Sequence, residues 1–247
     1  MTYTPRTDLL ADRIILVTGA GDGIGRTAAI TFARYGATII LLGRTSSKLE
    51  LVYDEIMANG DPEPGIAPMD LASVTPQQVV ELGEVIKSTY GRLDGILHNA
   101  AQLGSRIPVE TWDLNDWMRI MQVNAHAPFL LTRLLLPLLR QSPDAALLFT
   151  SSSVGARPRA YWGAYAVSKA AQDAFARLLA EELENTSNIR TNIVNPGGTR
   201  TKMRAAAYPT EDPATVKPAD ALMPLYLYLM GPDCKENGQT FGPDWLE

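Results

Sequence analysis

Short apolar runs alternate along the chain with longer segments in which apolar positions recur at helical spacing. The short runs are apolar on both faces, as strands of a buried parallel sheet should be. They predict strands at Ile14–Val17, Thr38–Leu42, Ile66–Met69, Gly95–His98, Ala146–Thr150 and Arg190–Val194, with a short one near Gln239–Phe241. The longer segments predict helices at Ile24–Tyr35, Lys48–Asn59, Pro76–Tyr90, Asp116–Arg140, Ala164–Glu184 and Pro218–Met230.

The regular alternation of strand and helix predicts an α/β fold. We expect a doubly wound, mostly parallel Rossmann sheet of about seven strands with helices on both faces. No linker rich in Pro, Gly or Ser divides the 247 residues, so we expect a single domain, with a substrate-loop region near 196–217. Ligands of such sheets bind outside the carboxyl ends of the strands.

Composition narrows the classes of function. The formal net charge is −5 with acids and bases interspersed, which argues against a nucleic-acid partner because such proteins carry a basic stripe. Cys234 is the single cysteine, so an internal disulfide is excluded and a reducing compartment is favoured. Residues 1–13 lack the apolar core of a signal peptide, and no apolar run reaches membrane-span length. We therefore expect a cytoplasmic protein with no membrane partner.

Metal chemistry is not expected. His98, His126 and Cys234 together do not make a familiar zinc site.

A glycine-rich turn follows the first predicted strand. The segment from Thr18 to Gly25 contains four glycines, with Gly19, Gly23 and Gly25 among them, and Ile24 opens the next helix. Glycines let a backbone approach a pyrophosphate closely, and a helix N-terminus supplies free N–H groups. The spacing departs from G-x-G-x-x-G, and no Gly-Lys-Ser/Thr of a P-loop follows. The turn could be only a tight connection between a strand and a helix, but its place after the first strand of an α/β chain favours dinucleotide binding.

Three side chains at the next strand ends refine the nucleotide prediction. An NAD site usually has an acid after the second strand, whereas this chain has Gly43 and then Arg44, whose guanidinium suits a 2′-phosphate. This favours NADP(H) over NAD(H). Asp70 could accept from an adenine amino group or cap a helix, and Asn99 could contact the adenosine ribose or brace the sheet.

Tyr165 and Lys169 lie one helical turn apart, with Ser152 thirteen residues upstream. A free tyrosine has a pKa of about 10, and a nearby ammonium favours the phenolate and lowers that pKa. An i,i+4 pair of this kind is more often a solvated helix face. Together with a nucleotide site, it predicts an acid–base pair beside a hydroxyl that holds a substrate oxygen.

Taken together, these residues resemble the short-chain dehydrogenase/reductase family in its single-domain form. Residues 12–19 and 196–201 look most like its bacterial YciK-like branch. The resemblance covers nearly the whole chain and rests on Thr18-Gly19-x-x-x-Gly23-Ile24-Gly25, Asp70, Asn99-Ala100, Asn124, Ser152, Tyr165-x-x-x-Lys169 and Pro196-Gly197.

The resemblance implies roles for individual residues. Tyr165 would be the general acid or base, Lys169 would lower its pKa and hold the nicotinamide ribose, and Ser152 would orient the substrate oxygen. Asn124 would anchor a water of the proton relay. The nicotinamide amide or the phosphates would meet Pro196, Gly197, Thr199 and Thr201.

Two local features depart from the expected pattern or add to it. The usual Asn-Asn-Ala-Gly reads His98-Asn99-Ala100-Ala101, and we expect His98 to be structural. Pro128 lies four residues after Asn124, and proline has no N–H. The Asn124 carbonyl should therefore lack its helical partner; it could hold a water, or the proline could simply kink the helix.

The sequence thus predicts an oxidoreductase that transfers hydride reversibly between NADP(H) and a small-molecule carbonyl or alcohol. Substrate walls are expected at 153–162 and 203–218. Arg157 or Arg159 could attract an anionic substrate there, although exposed loop arginines are usually only solvated. The alternative is a dinucleotide-binding regulator or interaction protein without turnover. Resemblance further implies a homodimer or homotetramer that pairs through the helices at 116–140 and 164–184.

Overall fold

The computed structural model describes residues 3–242, 244 and 245. Their centre is a seven-stranded sheet in the order β3-β2-β1-β4-β5-β6-β7, and every pair of neighbouring strands is parallel. This confirms the predicted fold class. The strands are β1 (Ile14–Thr18), β2 (Thr38–Gly43), β3 (Gly65–Pro68), β4 (Gly95–His98), β5 (Ala145–Thr150), β6 (Ile189–Val194) and β7 (Thr240–Phe241).

The helices lie on both faces of the sheet, as predicted. They are α1 (Gly23–Arg34), α2 (Ser46–Ala58), α3 (Pro76–Tyr90), α4 (Leu114–Met121), α5 (Ala127–Leu139), α6 (Ser153–Ala156), α7 (Gly163–Leu183), α8 (Lys202–Ala207) and α9 (Met223–Met230). Alternate residues of β1 belong to different cores: Ile15 and Val17 pack with α1, α2 and α9. Ile14 and Leu16 pack with α3, α5 and α7.

The predicted helix at 116–140 is instead three helical segments in succession. It begins earlier, at Leu114, because Asp113 accepts a hydrogen bond from the N–H of Asp116 and caps α4. A π-helical segment, Gln122–His126, separates α4 from α5. Pro128 offers no N–H to the carbonyl of Asn124, so regular i→i−4 bonding cannot pass through this point. The interruption expected at Asn124 is thus present as a widened turn.

Two other predicted elements differ from those observed. The segment 218–230 is a 3-10 turn, Ala219–Leu222, followed by α9, because Pro224 in the first turn of α9 cannot continue a preceding helix. The third strand is shifted by one residue, and it is apolar but not buried on both faces: Ile66 is 37% exposed. It is the edge strand of the sheet and has a neighbour on one side only.

A charged network fastens the amino ends of three strands. Arg13, just before β1, bonds both the carboxylate of Asp144 at 2.9 Å and its carbonyl. Arg190 in β6 bonds the other carboxylate oxygen of Asp144 at 2.8 Å. Although burial acts to raise the pKa of Asp144, its bonds with Arg190 and Arg13 hold that pKa below its usual value. The carboxylate therefore stays ionised and ties β1, β5 and β6 together at this edge.

Within the described part of the chain, no helix is both long enough and apolar enough to cross a lipid bilayer.

Candidate active site

A cavity of about 590 Å³ opens at the carboxyl ends of β1 to β6. Its walls come from the loops that follow each of these strands, which is where parallel sheets of this type bind ligands. Most of the residues singled out from the sequence meet here: Gly19, Gly23, Ile24, Arg44, Asp70, Asn99, Ser152, Tyr165, Lys169, Pro196, Gly197, Thr199 and Thr201. Thr18, Gly25 and Asn124 are not among the lining residues.

The glycine-rich turn lines the cavity with Gly19 and Gly23 and packs against the sheet with Gly25. A Cβ on Gly25 would stand 2.4 Å from the Gly19 carbonyl oxygen. The buried Thr18 hydroxyl bonds Leu97 and the backbone N–H groups of Asn99 and Ala100. Thr18 and Gly25 thus shape the turn from behind and do not line the cavity, and their part in cofactor binding stays a prediction.

Beside the glycine-rich turn, Asp22 forms salt bridges that were not predicted from the sequence. Asp22 caps α1 by accepting from Gly23 and pairs with Lys48 at 2.7 Å and Lys202 at 3.1 Å. These salt bridges join the turn after β1 to the starts of α2 and α8. Because two ammonium groups compensate the carboxylate, Asp22 leaves no net negative charge beside the predicted pyrophosphate position.

The other nucleotide-end residues lie as their strand positions require. Exposed Arg44 follows β2, and Asp70 follows β3 and accepts a bond from the N–H of Ala72. Asn99 donates its side-chain N–H to the Thr18 carbonyl at 3.4 Å, so it does brace two strand ends. Asp70 and Asn99 also line the cavity.

Tyr165, Lys169 and Ser152 meet on one wall of the cavity. Ser152 precedes α6 directly after β5, while the other two residues lie in the first turns of α7. Tyr165 is 7% exposed and Lys169 is 1% exposed. The Lys169 Nζ atom is 5.9 Å from the centre of the Tyr165 ring. The pair predicted from the sequence is thus buried at the site and does not form a solvated helix face.

The acid–base properties of the pair depart from the sequence prediction. Burial raises the pKa of Tyr165 to about 12, and this outweighs the lowering by the Ser152 hydroxyl. Burial also lowers the pKa of Lys169 to about 8, while Asp173 acts to raise it. The sequence predicted that Lys169 lowers the Tyr165 pKa, whereas the structure raises that pKa, with burial as the largest cause.

Gln172 fixes the ammonium of Lys169. Lys169 Nζ donates to the Thr150 carbonyl at 2.6 Å and to Gln172 Oε1 at 3.1 Å. Gln172 is itself 2% exposed and one turn along the same face of α7. Sequence reasoning missed it; the available signal was an amide three residues after the lysine, which is one helical turn.

Asn124 acts here through its side chain. Its Oδ1 accepts from the N–H of Gln102 at 2.8 Å, and its Nδ2 donates to the Gln102 carbonyl and to Ser168. The π-helical segment is thus attached both to the loop after β4 and to α7. The Asn124 carbonyl remains our candidate for the water site.

The loop after β6 contributes four residues predicted from the resemblance: Pro196, Gly197, Thr199 and Thr201. The Thr201 hydroxyl caps α8 by accepting from the N–H of Arg204, and Thr199 donates to the Pro196 carbonyl. These bonds give the loop a defined shape at the cavity.

Aromatic rings and guanidinium groups alternate along the wall beyond Tyr165. Arg106 lies 4.5 Å from the Trp162 ring and 5.1 Å from the Tyr208 ring, and it donates to the Ala207 carbonyl. Trp162 and Tyr208 belong to the two segments predicted as substrate walls, whereas Arg106 was not predicted. Arg159 lines the cavity, whereas Arg106 and Arg157 do not.

His98 is structural, as expected. Its Nε2 pairs with the Thr132 hydroxyl at 2.9 Å, and its ring stacks on Phe149. Burial and the nearby Lys169 lower the pKa of His98 to about 3, so the ring is neutral at ordinary pH.

Comparison with known proteins agrees with this geometry. A family model described as short chain dehydrogenase matches residues 13–212. The oxidoreductase YciK of Escherichia coli (strain K12) is 51% identical over 242 residues, which are 98% of this chain and 95% of that protein.

Two solved structures superpose closely. A short chain dehydrogenase of Shigella flexneri 2a, complexed with NADP, has a TM-score of 0.94 at 50% identity and covers 97% of this chain and 100% of its own. One from Escherichia coli CFT073, complexed with NADPH, has a TM-score of 0.94 at 51% identity, with 97% and 99% covered.

Proposed function

The chain belongs to the short-chain dehydrogenase family, and we propose that it catalyses reversible hydride transfer between NADP(H) and a carbonyl or alcohol substrate. Tyr165 is the general acid or base in this proposal. The observation that supports it most directly is the shared cavity: Ser152, Tyr165 and Lys169 line the same space as the glycine-rich turn. The hydroxyl of Ser152, the phenol of Tyr165 and the ammonium of Lys169 therefore lie in the same cavity as the turn proposed to bind the dinucleotide.

The residues present fit a dinucleotide. The turn from Gly19 to Gly23 presents glycine backbone and the start of α1 to the cavity, with Asp22 as its charged side chain. Arg44 would hold a 2′-phosphate, and Asp70 the adenine. Lys169 and the loop at 196–201 would hold the nicotinamide half. The cofactor supplies the hydride chemistry, and its NADP form is supported by the NADP and NADPH complexes of the two similar proteins.

The protein's own task is to orient the substrate and move one proton. Ser152 would hold the substrate oxygen next to the Tyr165 hydroxyl. In reduction, Tyr165 donates its proton to that oxygen; in oxidation, its phenolate takes the proton back. The buried Lys169 ammonium, fixed by Thr150 and Gln172, supplies a positive charge that stabilises the phenolate formed during reduction.

Tyr165→Phe tests this assignment, because it removes the transferable proton and little else. Turnover of a carbonyl panel with NADPH should fall at least about a hundredfold, while the affinity for NADPH measured by calorimetry changes by less than about twofold. Tyr161→Phe is the matched control, since Tyr161 is 58% exposed and does not line the cavity. Turnover retained in Tyr165→Phe would refute the role of Tyr165.

The same assays separate the enzyme from the alternative, a dinucleotide-binding regulator. Wild-type protein that binds NADPH but reduces no member of a broad carbonyl panel would favour the regulator. Conversely, any turnover abolished by Tyr165→Phe favours the enzyme.

We further propose that the chain forms a homo-oligomer through its long helices. Large apolar side chains on their outer surfaces support this: Phe129 of α5 is 46% exposed, and Val167 and Leu178 of α7 are 45% and 49% exposed. Light scattering after size exclusion should give a dimer or tetramer mass. A monomer at micromolar concentration would contradict the proposal.

A further inference from the structure

We propose that the substrate carries a carboxylate on an apolar body, and that Arg159 binds this carboxylate at the far end of the cavity. The inference rests on the proposed function and specifies the class of its substrate. It follows from three properties of the cavity wall: the distribution of charge, the way Arg159 is held, and the apolar surface between Arg159 and Tyr165.

Charge is distributed unevenly along the cavity. Its two carboxylate residues, Asp22 and Asp70, follow β1 and β3 and lie at the nucleotide end. Among the lining residues that the structure describes, no Asp or Glu lies in the loops after β5 and β6. No carboxylate side chain of the described residues therefore lines the substrate end, in a protein whose formal net charge is −5.

Most cations of the cavity already have a partner. Lys48 and Lys202 share the carboxylate of Asp22 at the nucleotide end, and Arg204 forms two bonds of 2.6 Å with Glu211. Lys169 is buried beside the reacting hydroxyl.

Arg44 and Arg159 remain. None of the ion pairs within the described ranges, 3–242 and 244–245, involves either of them. One uncompensated guanidinium thus lies at each end: Arg44 where the cofactor phosphate is proposed, and Arg159 where the substrate is proposed.

Arg159 is held against the cavity wall by two contacts. Its Nη2 donates to the Ser153 hydroxyl at 2.9 Å, and its guanidinium carbon lies 5.5 Å from the centre of the Trp162 ring. The Trp162 ring is in turn 5.9 Å from the Tyr165 ring. A guanidinium has five N–H donors, so a single bond to Ser153 leaves enough donors for a carboxylate to be bound through both oxygens.

The surface between the guanidinium and Tyr165 is apolar. Val154, Trp162, Tyr165 and Ala207 form a small core, against which Leu103, Met203 and Tyr208 pack. Arg106 does not line the cavity; it lies against the Trp162 and Tyr208 rings and donates to a backbone carbonyl. A hydrocarbon or aromatic body fits this wall, with the carbonyl at Tyr165 and a single negative charge at Arg159. One available cation matches a monoanion such as a carboxylate.

A matched pair of aldehydes tests the inference: 4-carboxybenzaldehyde and its methyl ester, methyl 4-formylbenzoate. In each reduction the hydride of NADPH goes to the aldehyde carbon and the Tyr165 proton goes to its oxygen. The products are the benzylic alcohol and NADP⁺, and the carboxylate is unchanged. Wild-type enzyme should prefer the acid over the ester by about tenfold or more in kcat/KM, the range of a hydrogen bond to a charged group.

Arg159→Met should abolish this preference, lowering kcat/KM for the acid about tenfold or more and for the ester by less than about threefold. Arg159→Lys should restore part of it, because the charge returns without the bidentate geometry. Arg157→Met is the control, as Arg157 lies in the same loop but does not line the cavity, and it should keep the wild-type preference.

Equal kcat/KM values of the wild type for acid and ester, or an equal loss of both in Arg159→Met, would overturn the inference. If neither aldehyde is reduced, calorimetry of 4-carboxybenzaldehyde with the NADP⁺-saturated protein decides it. If the wild type binds this aldehyde and Arg159→Met weakens the binding about tenfold, the anion subsite is supported although the proposed function fails. Binding unchanged by Arg159→Met, or no binding, would refute the subsite itself.

Discussion

Replacing Gln172 by leucine should move the alkaline limb of the reduction rate to lower pH. Reduction needs Tyr165 protonated and Lys169 charged. The pKa of Lys169 is lowered by burial to about 8, whereas that of Tyr165 is raised to about 12. Lys169 therefore loses its proton first, and the wild-type kcat/KM should be highest below the Lys169 pKa and fall as the pH rises through it.

The size of the shift follows from the contacts of Lys169. Its Nζ donates to Gln172 Oε1 at 3.1 Å in a fully buried setting. A hydrogen bond to a charged group contributes about 1.5–3 kcal/mol, and about 1.4 kcal/mol corresponds to one pKa unit. Losing this acceptor disfavours the ammonium, so the limb should move down by about one to two pH units. Gln172→Glu places a carboxylate at the same point and should move the limb upward.

The assay is kcat/KM against pH, followed by loss of NADPH absorbance with a carbonyl probe. NMR titration of the Lys169 side-chain resonances reports its pKa without requiring turnover. Circular dichroism at each pH excludes unfolding as the cause of lost rate. An alkaline limb that stays in place in both variants, even with a lower kcat, would refute the reasoning and leave Gln172 as a packing residue.

The remaining predictions concern the nucleotide end. Arg44→Ala should weaken NADPH binding about tenfold to a hundredfold in calorimetry, with NADH changed by less than about twofold; tighter binding of NADH than of NADPH by the wild type would refute the cofactor preference. Gly25→Ala should destabilise the fold by about 3 kcal/mol in denaturant unfolding, because its Cβ would meet the Gly19 oxygen at 2.4 Å. Gly242→Ala, whose Cβ meets nothing within 4 Å, is the control, and equal stability of the two variants would contradict the packing argument.

Features encoded by local sequence could be predicted. The strand β1 and the start of α1 follow from an apolar run that ends in closely spaced glycines, and both lie as expected. Tyr165 and Lys169 could be paired because helical spacing puts them on one face. The position of Pro128 also predicted where the helix is interrupted, because the missing N–H leaves the carbonyl four residues earlier without its partner.

Features that depend on contacts between distant segments could not be predicted. Asp22 meets Lys202 across 180 residues of chain, and Arg106 reaches the Ala207 carbonyl across 101. The Tyr165 pKa has the same origin. The nearby cation was visible in the sequence, but the desolvation that raises this pKa results from packing by Trp162 and other residues of the folded wall.

The network of Arg13, Asp144 and Arg190 has a consequence for the evolution of substrate specificity in this protein. It joins the amino ends of the strands, while Ser152, Tyr165 and Lys169 line the cavity at the carboxyl ends. Mutations in the loops after β5 and β6 can therefore alter which compound is accepted without removing the bonds that hold the sheet. Loops carried on such a scaffold are free to diversify. Directed evolution for new substrates should accordingly vary 153–162 and 203–208 and leave the opposite edge unchanged.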